Sequence, residues 1–181
     1  MLRLFAALAI PESIALSLAP IMSGLPGARW HPPEKLHLTL RFFGEIDEGL
    51  ADDLDGELTA IGGTAFDLSL QGVGAFESRG TPHHLWAGVS PSESLRDLNR
   101  RCERAARRAG LAPDSRSYRP HITLAYLDRT PAPQTAAWLA RHNLLRTEPI
   151  RAEGFHLYSS RLSRRGQVYQ RERTYPLKSA A

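Results

Sequence analysis

The chain has 181 residues, 42% of them hydrophobic and 23% charged, with a formal net charge of +4. That composition is ordinary for a globular protein with a real core, and no apolar run approaches the roughly 18 residues a membrane helix needs. One cysteine, Cys102, excludes an internal disulfide and gives no sign of an oxidising compartment, so a cytoplasmic protein is expected.

Residues 3–10 read as a buried strand, although the same apolar run resembles the start of a short signal peptide. Pro11-Glu12-Ser13 opens a helix predicted to run to about Met22, with proline where its missing N–H is harmless. Gly24 to Gly27 breaks the chain. Leu36 to Phe43 alternates as a strand that Gly44 is expected to end. Residues 47–61 read as a helix with acidic side chains in its first turn, where the helix dipole favours them. Residues 66–76 alternate again, and 84–89 form a further strand. The helix over 93–109 has the clearest pattern: Ser92 or Ser94 caps it, and Leu95, Leu98, Cys102 and Ala105 or Ala106 line one face. A strand over 120–126, a short helix over 133–142 and two strands, 150–159 and 167–176, complete the chain. The last two flank a turn containing Ser163-Arg164-Arg165-Gly166. This order of strands and helices predicts an α+β fold with mostly antiparallel sheets.

One short pattern recurs. His37-Leu38-Thr39-Leu40 and His121-Ile122-Thr123-Leu124 are the same tetrapeptide class, 84 residues apart. On a strand, residues i and i+2 share a face. Each copy therefore aims an imidazole and a hydroxyl one way, and buries two aliphatic side chains the other way. Two such strands facing one cleft would suit metal-free displacement at phosphorus. A neutral imidazole can deprotonate the attacking group and an imidazolium can protonate the departing oxygen, because both forms exist near neutral pH. The threonine hydroxyls can donate to non-bridging oxygens.

The chain resembles the 2H phosphoesterases, and within them the RNA 2′,3′-cyclic phosphodiesterases also called 2′-5′ RNA ligases. Trp30, Pro33 and Leu36 to Gly44 match the first motif region, Leu85 to Val89 the central strand, and Pro120 to Ala125 the second motif. Leu4 to Leu8 and Pro11 resemble the opening strand, and Tyr158 to Leu162 with Gly166 to Tyr169 the closing hairpin. The resemblance implies one domain over 1–181 made of two intertwined lobes. These form a bilobal, pseudo-two-fold pair of sheets with flanking helices and an active-site cleft between them. It implies His37 and His121 as the acid–base pair, His121 the base, with Thr39 and Thr123 on the phosphate. It also implies Phe42 near the substrate and a 2′-phosphate product. No cofactor or metal is expected. The expected partners are RNA ends or nucleotides bearing a 2′,3′-cyclic phosphate, met by a monomer. ATP-independent 2′-5′ ligation through the same site and a non-catalytic RNA- or nucleotide-binding module are the alternatives.

One position departs from the family, which often has arginine where this chain has Tyr126. Position 126 is an odd number of residues from Thr123, so strict alternation turns it away from the phosphate. Arg41 is expected to face away from His37, like Leu38 and Leu40. Trp30 is a candidate to stack a base. Trp86 and Trp138 are expected in the core. His31, His83, His84, His142 and His156 are expected on the surface or in loops. Arg161, Arg164, Arg165, Arg171 and Arg173 read as a solvated hairpin that could touch an RNA backbone. The sequence has no phosphate-binding glycine-lysine loop and no Lys-x-Asp-Gly adenylation site, which argues against an ATP-driven ligase.

Overall fold

The computed structural model describes residues 1–164 and 166–179. Ten strands and four helices follow one another. They are β1 (Leu2–Ala9), α1 (Glu12–Ser17), β2 (Ala28–Trp30), β3 (His37–Ile46), α2 (Glu48–Thr59), β4 (Phe66–Leu68), β5 (Leu70–Ser78) and β6 (Thr81–Val89). After these come α3 (Glu93–Arg108), β7 (His121–Leu127), α4 (Ala132–His142), β8 (Ile150–Ala152), β9 (Gly154–Ser163) and β10 (Gly166–Pro176).

Eight strands form one antiparallel sheet in the order β10-β9-β1-β3-β7-β6-β5, with β2 added on β7; β4 and β8 pair as a small second sheet. The expected pair of sheets is thus present as two halves of one sheet. They join where Leu38 of β3 faces Ile122 of β7. Both side chains are fully buried, so the motif strands are anchored from below by their aliphatic positions.

The helices cover the face that Leu38 and Ile122 point into. Asp47 accepts a hydrogen bond from the Leu50 N–H at 2.9 Å and starts α2; Ser92 accepts from the Leu95 N–H at 3.2 Å and starts α3. Helix α3 carries Glu93 in its first turn and Arg107 and Arg108 in its last, as its dipole favours. It buries Leu95, Leu98, Cys102, Ala105 and Ala106, each large side chain contributing about 1.5–3 kcal/mol. The predicted helix face is therefore the buried one. Burial pushes the Cys102 thiol up to about 12, so it is an inert packing group. Trp138 of α4 lies in the core and its indole N–H donates to the Ile21 carbonyl at 3.1 Å.

Several boundaries differ from the sequence pattern. The first helix stops at Ser17 and continues as a 3₁₀ turn over Ala19–Ile21, because Pro20 has no N–H to continue an α-helix. The alternating run from 66 is two strands, β4 and β5, in different sheets, and the run from 150 is likewise β8 and β9. Alternation survives both breaks, so periodicity could not show them. Gly44 does not end β3: it takes φ +81° and the strand runs on to Ile46. Strand β2 is too short for a pattern to reveal. In the expected turn after Ser163, Arg165 lies outside the described residues.

Candidate active site

Continuing the Leu38–Ile122 register one step each way places His37 opposite Thr123 and Thr39 opposite His121. All four side chains then share the sheet face away from the helices, and all four are half-buried. The site is thus made by a local two-fold axis through the seam.

The two imidazoles are held in the same way. His37 Nδ1 lies 2.8 Å from the Lys35 carbonyl oxygen, and His121 Nδ1 lies 2.6 Å from the Arg119 carbonyl oxygen. A carbonyl only accepts, so Nδ1 carries the proton in both rings and Nε2 is left for chemistry. Each ring also has an aromatic wall. His37 packs 4.9 Å from Phe5 and edge-on to Tyr169 at 5.0 Å. His121 packs edge-on to Phe76 at 4.8 Å and 6.4 Å from Trp86. Trp86, expected in the core, is half-buried on this face; its ring lies over Gly74, where any Cβ would meet it at 2.1 Å.

Both imidazoles titrate below 6.5. Burial is the main cause for each and opposes the charged form; the carbonyl bonds to Lys35 and Arg119 push the other way. The charge of His121 lowers His37 further. Both are therefore mainly neutral at pH 7 in the free protein.

Two β-bulges decide what else reaches the site. Against β1, the partner of Ala7 is Thr39 and that of Ala6 is Arg41, so Leu40 is an extra residue. Against β6, the partner of Trp86 is Thr123 and that of Leu85 is Ala125, so Leu124 is an extra residue. A bulge puts two successive side chains on one side and reverses the alternation beyond it. Parity alone would return Arg41 to the face of His37. The bulge turns it down onto α3 instead, where it donates to Glu103 at 2.5 Å and to the Ala112 carbonyl at 2.8 Å. The expected orientation of Arg41 holds, for a reason the pattern did not contain.

The same device corrects the reading of Tyr126. The Leu124 bulge brings its ring back to the site face, 4.9 Å from His31 and 4.8 Å from His84. It also stands beside the Tyr169 phenol. Burial and then this neighbour push the Tyr169 hydroxyl up to about 12. Tyr169 donates to Gln167 at 3.0 Å. Phe42 is the two-fold mate of Tyr126, five residues after its histidine. It emerges on the same face, 46% exposed and 5.6 Å from Phe5. Trp30 is not brought to the imidazoles: it pairs with buried Ala125 and its ring lies 5.7 Å from Trp138.

The other histidines are less exposed than expected. His31 is 9% exposed, its buried Nδ1 has no hydrogen-bond partner among the described residues, and burial with nearby His37 lowers it to about 4. His84 is half-buried, and burial and His83 lower it. His156 is half-buried against Thr174 at 2.9 Å and lowered to about 4 by burial and Arg171. His83 is half-buried and hydrogen-bonded to His84; His142 packs on Trp138 at 4.7 Å. Among the described residues no three or more potential ligands gather to hold a metal ion. Sequence reasoning missed Phe5, His31, Phe76, His84, Tyr158 and Tyr169. Their signal, aromatic residues on strands neighbouring each motif, needs the strand order to be known.

A sheet of two related halves, each carrying one His-x-Thr strand to a shared cleft above a helical layer, is the fold of the 2H phosphoesterases. The chain belongs to the 2′-5′ RNA ligase superfamily, whose model matches residues 10–164. It is 33% identical over 182 residues to a Thermus thermophilus protein named RNA 2′,3′-cyclic phosphodiesterase, covering 93% of this chain and 86% of the relative. It is 28% identical over 177 residues to an Archaeoglobus fulgidus protein of the same name, covering 96% and 99%. A crystal structure of a protein from Thermus thermophilus superposes with a TM-score of 0.80 at 27% identity, covering 99% of this chain and all of that one. Apo LigT from E. coli shares the fold at a TM-score of 0.80 and 24% identity, covering 98% of both chains. Among the described residues no helix is long and apolar enough to cross a membrane.

Proposed function

We propose that this chain hydrolyses a 2′,3′-cyclic phosphate on RNA ends to a 2′-phosphate, using His37 and His121 as paired acid and base and no metal. The observation that carries this reading is the matched tethering of the two rings, Nδ1 to the carbonyl two residues back in each motif. It leaves two Nε2 atoms, related by the seam, to act on one anion. Relatives that match nearly the whole chain are named RNA 2′,3′-cyclic phosphodiesterase.

In the reading, His121 Nε2 takes a proton from water as its oxygen bonds to phosphorus. His37, as imidazolium, gives a proton to the 3′ oxygen as its bond to phosphorus breaks. Thr39 and Thr123 donate to the non-bridging oxygens, where charge builds in the transition state. The bound anion favours the imidazolium that burial disfavours, so substrate supplies part of the field that loads His37 with its proton. The 181 residues act as one domain, as a monomer in the cytoplasm.

The test is incubation with an oligonucleotide ending in 2′,3′-cyclic phosphate, with EDTA and without ATP. The expected product is a 2′-phosphate end. An uncleaved substrate, or activity that EDTA abolishes and a divalent ion restores, overturns the reading.

A further inference from the structure

The Leu40 bulge interrupts the pairing of β3 with β1 next to Thr39. On its other side β3 pairs with β7 at Leu38–Ile122 alone among the described residues. The backbone that aims the Thr39 hydroxyl therefore bends where strand pairing is weakest. A bulge re-aims a side chain only as firmly as its own peptide planes are held.

Side chains from two other segments hold them. The Tyr118 hydroxyl donates to the Thr39 carbonyl at 3.2 Å. The Asn99 amide of α3 donates to the Leu40 carbonyl at 2.8 Å. These are the two peptide planes that flank the extra residue, so its turn is pinned on both sides. Burial pushes the Tyr118 hydroxyl up, so it stays protonated and donating.

The same grip reaches the second motif. One helical turn on from Asn99, Glu103 accepts from Arg41 at 2.5 Å and from the Asp114 N–H at 3.2 Å. Arg41 also donates to the Ala112 carbonyl at 2.8 Å. Tyr118 itself stands three residues before His121. The first motif's bulge is thus tied to the segment that delivers the second motif's histidine. Asn99 and Glu103 belong to the helical layer and Tyr118 packs against the core, so they act on the site through the backbone.

Thr39 opposes His121 in the register of the seam. We infer that Asn99 and Tyr118 are positioning residues, which lock the Leu40 bulge so that the Thr39 hydroxyl is aimed at the anion on which His121 works. The inference rests on the phosphodiesterase reading and adds two residues to it. A donor aimed at a non-bridging oxygen gains strength as charge builds there. Its misplacement therefore lowers rate more than substrate binding.

The experiment measures kcat and KM on an oligonucleotide ending in 2′,3′-cyclic phosphate. It uses the unaltered protein, Tyr118→Phe, Asn99→Leu, Thr39→Val and each of the first two combined with Thr39→Val. Tyr118→Phe removes one oxygen, and Asn99→Leu removes a donor at nearly constant size. Each should lower kcat about five-fold, the worth of one neutral hydrogen bond, with KM changed less than about two-fold. On top of Thr39→Val neither should lower kcat by more than about two-fold, because no hydroxyl is left to aim. Urea unfolding sets the folded fraction of every variant, so that lost rate is separated from lost stability; if Asn99→Leu does not fold, Tyr118→Phe decides. The same loss with and without Thr39→Val would make the two residues general scaffold and overturn the inference. Unchanged kcat in folded Tyr118→Phe, or Thr39→Val as fast as the unaltered protein, overturns it as well. An unaltered protein that leaves the oligonucleotide uncleaved overturns the phosphodiesterase reading and this inference with it.

Discussion

His37 of β3 stands across the sheet from Thr123 of β7, because Leu38 pairs with Ile122 between them. Directly opposed side chains in an antiparallel pair have Cβ atoms about 4.5–5.5 Å apart. Within one strand, His37 and Thr39 are separated by two rises, about 7 Å. In that register each imidazole is opposed by the hydroxyl of the other motif, with its own motif's hydroxyl two residues along the strand.

This arrangement gives the first prediction. In double-mutant cycles on turnover, His37→Ala should couple more strongly to Thr123→Ala than to Thr39→Ala. Neighbours sharing one network show about 0.5–3 kcal/mol of coupling. Equal coupling to both threonines would mean that the strands diverge too fast beyond the seam for the cross-strand contact to matter.

The second concerns the histidines themselves. His37→Ala or His121→Ala should each lower kcat by about 10² to 10⁴, the usual worth of positioned acid–base catalysis. The double variant should be little worse, since the pair acts as a unit. Single-turnover rates with a folded variant decide it; near-normal turnover removes that residue from the mechanism.

The third is the pH profile. Burial lowers both imidazoles below 6.5, so the singly protonated pair becomes populated as pH falls. The profile of kcat/KM reports the free enzyme. Both of its limbs should lie below 6.5, as macroscopic values of the pair. The bound anion raises both groups, so the kcat profile should be displaced to higher pH. An optimum of kcat/KM above pH 7 would contradict this.

The fourth is stability. His31 falls from 6.5 to about 4 on folding. Between those values the unfolded chain binds more protons than the folded one, so stability drops as pH falls from about 6.5 to 4. The loss attributable to this residue is about 3 kcal/mol. Urea unfolding of His31→Phe should show a flatter pH dependence over that window. His156, also lowered to about 4, leaves a second, smaller slope because it is half exposed to screening solvent.

Much of this molecule was legible in its sequence. The repeated His-x-Thr-Leu marked both motif strands, and the periodicity of 93–109 gave the buried face of α3 correctly. The remainder depended on pairings between distant strands. No local pattern says that Leu40 and Leu124 are extra residues in their strands, yet those two bulges decide the faces of Arg41, Phe42 and Tyr126. Nor does it say that Tyr158 and Tyr169 of the closing hairpin return to His37, since β9 reaches the site only by pairing with β1. His31 looked like a loop residue and is a loop residue, but its backbone N–H donates to the Leu124 carbonyl at 2.8 Å, which draws it under Tyr126.

The fifth prediction concerns Tyr126. Its ring is flanked by His31 and His84, and its hydroxyl stands beside Tyr169, which packs on His37. Tyr126→Phe removes one neutral hydrogen bond, worth about 1 kcal/mol. Tyr169 keeps its bond to Gln167 and its packing on His37, so KM should rise only several-fold. Tyr126→Arg places a permanent cation on the site face, within reach of the phosphate. Charge-assisted bonds are about twice as strong as neutral ones, so substrate should bind about ten-fold tighter. The slope of log affinity against log salt should steepen by about 0.7, the value for one added contact to a single strand. The new charge also opposes protonation of His31 and His84, so the acid loss of stability should grow and extend to lower pH. Affinity for a nucleoside 2′-phosphate product, measured by calorimetry from low to high salt, tests the effects on binding, and urea unfolding across pH tests the effect on stability. Weaker binding in Tyr126→Arg together with inactive Tyr126→Phe would make the Tyr126 hydroxyl a substrate ligand in its own right.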